Sequence, residues 1–179
     1  MFLRPNIITS LRLILIFIII ALDFYGYYFI ALILLTLAFL TDLVDGYISR
    51  KYNLQSNFGI YFDHFADKVL VHLLLIYFLW QHLLHFPLVA LLILRDYLAL
   101  GFRQYAQSQN LVIASVLSGK IKLWLCAFLL IIIELAKISN IPPETIFALA
   151  AITTFWSYIS FGDMLLKNKK ILKQIKKEF

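Results

Sequence analysis

Cysteine is almost missing from this chain. The single Cys126 sits inside an apolar run, which excludes a disulfide framework and a cysteine-based metal site. It is expected to act as a small buried hydrophobe. Proline and glycine are scarce as well, four and six in 179 residues. No Pro/Gly linker, low-complexity tract or internal repeat divides the chain, so a single domain over 1–179 is expected. Charge is thin too: 15% of residues are Asp, Glu, Lys or Arg, against 63% hydrophobic. Soluble domains average about 45–50% apolar. With a mean hydropathy of +0.88, the composition points to an all-α integral membrane protein. No small-x-small cleavage site follows the first apolar run, which ends ALDFYGYY, so that run is expected to stay as a helix.

Apolar runs of membrane-spanning length predict six transmembrane helices, near 8–23, 26–49, 60–82, 86–107, 114–137 and 145–166. Pro142-Pro143 before Glu144 and Thr145 reads as a helix start. Fifteen of the sixteen Lys and Arg group with the N-terminus, the second and fourth connections and the C-terminus, leaving Lys137 alone on the other side. The positive-inside rule then predicts that both termini are cytoplasmic. The net charge of +6 becomes a basic collar for anionic headgroups, ending in an interfacial tail over 167–179. No nucleic-acid partner is expected.

Against this background, TDLVDGYISRKYNLQSNFGIYFDHFADK, residues 41–68, is unusual. Asp42 and Asp45 stand at i, i+3, with Gly46 and Ser49 on the same helical face; Gly59, Asp63 and Asp67 stand at i, i+4, i+8. A short polar connection makes the two helices antiparallel neighbours. Four carboxylates can then converge on the cytoplasmic side, and they cannot all stay ionised there without cations. Arg50, Lys51 and Lys68 can neutralise part of that charge. Oxygen ligands of this kind suit hard divalent ions, Mg²⁺ or Mn²⁺, bound jointly with substrate phosphates. Ordinary interfacial ion pairs are the plain alternative. Four carboxylates at matched spacing on adjacent helices go beyond it.

The stretch reads Asp42-x-x-Asp45-Gly46-x-x-x-Arg50, eight residues, then Gly59-x-x-x-Asp63-x-x-x-Asp67. It resembles the motif of the CDP-alcohol phosphotransferases, with Ser49 where an Ala is usual. PNIITSLR with Asn6, Thr9 and Arg12, together with FDHFADKVLV, LRDYLALGFRQYAQ and SGKIKLWLC, is similar to segments of that family's bacterial phosphatidylglycerophosphate synthases. The likeness covers roughly residues 5–126. Its departures are His64 for Pro, Asp96 for Glu, Leu123 for Thr and Cys126 for Gln.

The resemblance implies CDP-diacylglycerol and glycerol 3-phosphate as substrates, two Mg²⁺ (or Mn²⁺) ions, a homodimer in membrane lipid, and an active site facing the cytoplasm from the inner (cytoplasmic) membrane. It implies Asp42, Asp45, Asp63 and Asp67 as metal ligands, and Asp67 as general base. It places Asn6, Thr9, Asp42, Gly46, Arg50 and Gly59 around CDP-diacylglycerol. Arg95, Arg103, Lys120 and Lys122 are cations suited to a phosphorylated acceptor, which a neutral alcohol would not need. The departures leave phosphatidylglycerol, serine or inositol as alternative acceptors. A divalent-cation or proton transporter is a reading of a different class, but it calls for carboxylates near the bilayer midplane and repeated or broken helices.

Overall fold

The computed structural model describes the backbone of residues 5–51, 57–109, 116–169 and 171, and the side chains of 13–41, 68–109, 116–169 and 171. Among these residues the chain is all α, with no strand. The helices are α1 (Pro5–Phe24), α2 (Tyr28–Lys51), α3 (Asn57–Trp80), α4 (Phe86–Ser108), α5 (Leu117–Ala136) and α6 (Pro143–Lys167). Each end lies within three residues of the span expected from hydropathy.

Local chemistry explains the ends. Pro5 and Pro143 open α1 and α6, where a missing N–H costs nothing. Glu144 in the first turn of α6 and Lys167 in its last both suit the helix dipole. α1 closes on Gly26, whose φ of 84° is left-handed. Gly26 N–H donates to Asp23 O at 2.9 Å and Tyr27 N–H to Leu22 O at 2.8 Å, which satisfies carbonyls the helix would leave open. α3 ends with the same device without glycine: His82 has φ 60°, and Leu83 N–H reaches Phe78 O at 3.0 Å. A side chain in this region is disfavoured, and His82 is exposed, so little packing is lost on removing it. His82→Gly is expected to stabilise the protein by about 0.5–1 kcal/mol. The check is a rise in the thermal unfolding midpoint in detergent; an unchanged or lower midpoint would contradict it.

The described residues form two compact units. One extends to Leu83 and adds Leu130–Pro143; the other holds Leu84–Leu129 and the residues from Glu144 onward. In the first, α1 packs against both α2 and α3. Ile16 and Ile19 of α1, Ala31, Leu35 and Ala38 of α2, and Leu70, Leu74 and Phe78 of α3 are buried at the three- and four-residue spacing of one helical face. In the second unit, Ala99, Phe102 and Ala106 of α4 form a core with Met164 and Ile171.

The opposite faces are not polar. Phe17, Phe29, Leu94, Trp124 and Phe155 are all more than half exposed. Apolar faces of this extent are a liability in water and match hydrocarbon. α6 is long and apolar enough to cross a membrane by length and composition. Shorter apolar helical stretches run Leu13–Phe24, Tyr28–Thr41 and Lys68–Trp80. Phe24, Tyr25 and Trp80 stand exposed near the C-terminal ends of α1 and α3, with Phe24 stacked on Trp80 at 6.2 Å, as aromatic side chains do at a membrane interface.

Candidate active site

The first unit is pinned at one end by a buried polar clamp. Asp23, in the last turn of α1, is 1% exposed. Its Oδ2 accepts from Tyr77 Oη at 2.6 Å and Gln81 Nε2 at 2.7 Å, and its Oδ1 from Lys137 Nζ at 2.6 Å. The Lys137 ammonium also lies 3.6 Å from Glu134 and over the rings of Tyr28, Tyr77 and Phe78. Sequence reasoning missed this cluster. The signal was there: Lys137 is the one Lys or Arg that does not group with the termini or the second and fourth connections, and a lone cation beside an apolar run calls for a buried partner.

The clamp fixes helix polarity. Tyr77 and Gln81 bring the C-terminal end of α3 to the C-terminal end of α1, so these packed helices run parallel. The tight turn at Gly26 makes α2 antiparallel to α1. The N-terminal ends of α1 and α3 and the C-terminal end of α2 therefore share the opposite end. A common count sets the level: Thr9 is fourteen residues before Asp23, Asp42 fourteen after Tyr28, and Asp63 fourteen before Tyr77. Fourteen residues of helix rise about 21 Å. Thr9, Asp42 and Asp63 thus start from one level, a helix length away from the clamp.

At that end the backbone is helical through Asp42, Asp45, Gly46 and Arg50 on α2, and through Gly59, Asp63 and Asp67 on α3. The i, i+3 and i, i+4 spacings are therefore true helical registers, which put each pair on one face. From Lys51 to Asn57 the connection spans at most about 22 Å, so the two carboxylate-bearing ends cannot separate far. The side chains of Asn6, Thr9, Asp42, Asp45, Gly46, Arg50, Gly59, Asp63 and Asp67 lie outside the described residues, as do those of Arg12 and His64. Among the described residues, no group of three His, Cys, Asp or Glu could hold a metal. The donor set on α2 and α3 fits one: four hard carboxylates in register at a single end of three packed helices match Mg²⁺ or Mn²⁺ rather than a softer metal.

The second unit holds the expected cations of α4 and α5 in two states. Arg95 and Lys122 are buried and share one carboxylate. Asp96 Oδ1 accepts from Arg95 Nη1 at 3.0 Å, and Oδ2 accepts from Lys122 Nζ at 2.6 Å. Arg95 Nε donates to Ser157 O at 2.7 Å and Nη2 to Ser160 Oγ at 3.0 Å, which ties the guanidinium to α6. Arg103 and Lys120 are exposed. Close by on α5, Ser118 Oγ donates to Asp163 Oδ2 at 2.7 Å, and Trp156 Nε1 donates to Ser118 O at 3.2 Å. Sequence reasoning singled out Asp96 only as a departure from Glu, and it did not find Ser157 or Ser160. Their polar spacing along α6 is ordinary for a membrane helix, so no local signal marked them. Of the departures, Cys126 is buried as expected and Leu123 is 60% exposed.

A family model, CDP-alcohol phosphatidyltransferase, matches residues 2–156. The chain is 34% identical over 146 residues to the CDP-diacylglycerol–glycerol-3-phosphate 3-phosphatidyltransferase of Bacillus subtilis (strain 168), covering 79% of this chain and 74% of that protein. It is 34% identical over 137 residues to the Rickettsia felis protein of the same name, covering 74% and 75%. With the Mycoplasma pneumoniae protein of that name it shares 38% over 94 residues, 52% of this chain and 41% of the relative. With the aspartate registers on α2 and α3 and a family match over most of its length, the chain belongs to the CDP-alcohol phosphatidyltransferase family.

Proposed function

We propose that the protein transfers the phosphatidyl group of CDP-diacylglycerol to sn-glycerol 3-phosphate, giving phosphatidylglycerophosphate and CMP for phospholipid synthesis. The observation that carries this reading is the helical register of Asp42, Asp45, Asp63 and Asp67 at one end of a clamped three-helix unit, in a chain that aligns over three quarters of its length with relatives bearing that name. The whole chain acts as one membrane domain of six transmembrane helices. Fifteen of sixteen Lys and Arg on one side support cytoplasmic termini and a cytoplasm-facing site in the inner membrane. The working form is a homodimer, a proposal that follows from the family resemblance.

Members of the family depend on a divalent metal. Asp42, Asp45, Asp63 and Asp67 would hold two Mg²⁺ or Mn²⁺ ions, which supply charge neutralisation for the diphosphate and lower the acceptor hydroxyl's resistance to deprotonation. Gly46 and Gly59 leave room for the nucleotide, and Asn6, Thr9 and Arg50 offer it polar contacts. Asp67 takes the proton from the acceptor hydroxyl. The oxygen forms a new bond to the phosphorus that carries diacylglycerol. The bond from that phosphorus to CMP breaks, and CMP leaves with the electron pair. Positioning and electrostatics dominate such a transfer.

Arg95, Arg103, Lys120 and Lys122 serve the acceptor's phosphate, with exposed Arg103 and Lys120 as the contacts open to an incoming anion. Arg103→Ala is expected to raise KM for glycerol 3-phosphate by about tenfold or more, the scale of one lost charge-assisted hydrogen bond, with KM for CDP-diacylglycerol nearly unchanged. Equal changes in both would mean that Arg103 is scaffolding.

The reaction class is tested by thermal unfolding of the purified protein. CMP and CDP-diacylglycerol should each raise the midpoint only when Mg²⁺ is present. A cation transporter predicts a response to the metal alone, with none to the cytidine nucleotide.

A further inference from the structure

Two buried like charges from different helices need a reason to stay together. Arg95 comes from α4 and Lys122 from α5; they are 8% and 4% exposed. Alone, each would bear a large desolvation penalty and repel the other. Asp96 resolves both problems by giving one carboxylate oxygen to each cation, at 3.0 and 2.6 Å. The guanidinium is then fixed in a second direction by Ser157 O and by Ser160 Oγ, both on α6 and both from residues at most 1% exposed. The Phe161 ring lies 6.0 Å from the guanidinium carbon. Arg95 is thus held by partners on α4 and α6, and Lys122 of α5 by the same Asp96 on α4. Of Arg95's five N–H donors three are directed at these partners, and of Lys122's three, one is.

We infer that Asp96 is a positioning residue for acceptor binding: it presets Arg95 and Lys122 as a pair of cations, seated against α6 through Ser157 and Ser160, to serve an acceptor that carries a phosphate. The inference rests on the proposed glycerol 3-phosphate reaction. Its physical basis is preorganisation. Cations already desolvated and fixed bind an anion without the cost of ordering two long side chains at that moment. It also gives α6, which the family match reaches as far as residue 156, a direct part in specificity. Groups that orient metal ligands from behind change affinity or activity by about 10- to 100-fold when altered, and a carboxylate that orients two cations is expected to act on the same scale.

The test is steady-state CMP release by wild type, Asp96→Asn, Asp96→Glu and Ser160→Ala, with glycerol 3-phosphate and CDP-diacylglycerol varied separately. Asp96→Asn keeps the size and removes the charge. It should raise KM for glycerol 3-phosphate by about 10- to 100-fold and leave that for CDP-diacylglycerol within about twofold. Asp96→Glu should restore most of the loss, and Ser160→Ala should raise only the acceptor KM, by about threefold to tenfold. A purely structural role would move both KM values together or lower kcat with neither KM changed, and either pattern overturns the inference. If Asp96→Asn does not fold, Ser160→Ala decides: an unchanged acceptor KM in a folded variant overturns the inference. Wild type that turns over only an uncharged alcohol overturns the functional reading, and the phosphate site with it. Wild type active on glycerol 3-phosphate with unaffected variants overturns the positioning role alone.

Discussion

Asp67→Asn is expected to stop CMP release while CDP-diacylglycerol still binds. The expectation comes from its place in the register. Asp67 is the last of the four carboxylates, one turn beyond Asp63 on α3, and a base must reach the acceptor hydroxyl while the other carboxylates hold the diphosphate end. Asparagine keeps the shape but cannot take the proton. Loss of a positioned general base typically costs about 10²- to 10⁴-fold in rate. Asp42, Asp45 and Asp63 remain, so metal-dependent stabilisation by CMP should survive. Two readouts check this on one preparation: CMP release, and the shift of the unfolding midpoint by CMP with Mg²⁺. Near-normal turnover would remove Asp67 as base. Loss of both activity and CMP response would make it chiefly a ligand.

Lys137→Met should be the most destabilising single change outside that site. Asp23 is 1% exposed and takes hydrogen bonds from Tyr77, Gln81 and Lys137; Glu134, 0% exposed, lies 3.6 Å from the same ammonium. One cation thus serves two buried carboxylates. Methionine fills the volume and strands both. Breaking a buried pair by removing one partner costs about 3–5 kcal/mol. The double variant Asp23→Asn, Lys137→Met should recover part of the loss, because it removes one stranded charge. The check is the thermal unfolding midpoint of single and double variants in one detergent. A loss under about 1 kcal/mol, the scale of a surface pair, would show that the clamp is hydrated and weak. Activity should fall with stability, although the clamp sits about 21 Å from the carboxylate level, because it sets which helix ends meet.

The sequence was most legible where the information is local. Six apolar runs gave the helices to within three residues, and the aspartate registers are contained in 26 residues from Asp42 to Asp67. The small shifts at helix ends have backbone causes. α2 starts at Tyr28 because Gly26 is spent on the left-handed cap of α1, and α3 stops at Trp80 because His82 takes the same conformation without being a glycine. Long-range polar pairing was not legible. Tyr77, Gln81 and Lys137 lie 54, 58 and 114 positions from Asp23, and Ser160 lies 65 from Arg95. Periodicity says that such residues are on helices and says nothing about which helices meet. Arg95 and Lys122 were legible as cations in an apolar context. That Asp96 holds both required the fold.

One assay bears most directly on the whole account. Purified protein is given CDP-diacylglycerol and Mg²⁺, and CMP release is measured with glycerol 3-phosphate beside glycerol, inositol, serine and phosphatidylglycerol. The account predicts release with glycerol 3-phosphate alone, lost on chelation of the metal. Release with another acceptor and none with glycerol 3-phosphate would contradict it, leaving the four-aspartate chemistry in place but assigning the cations of α4 and α5 to some other purpose.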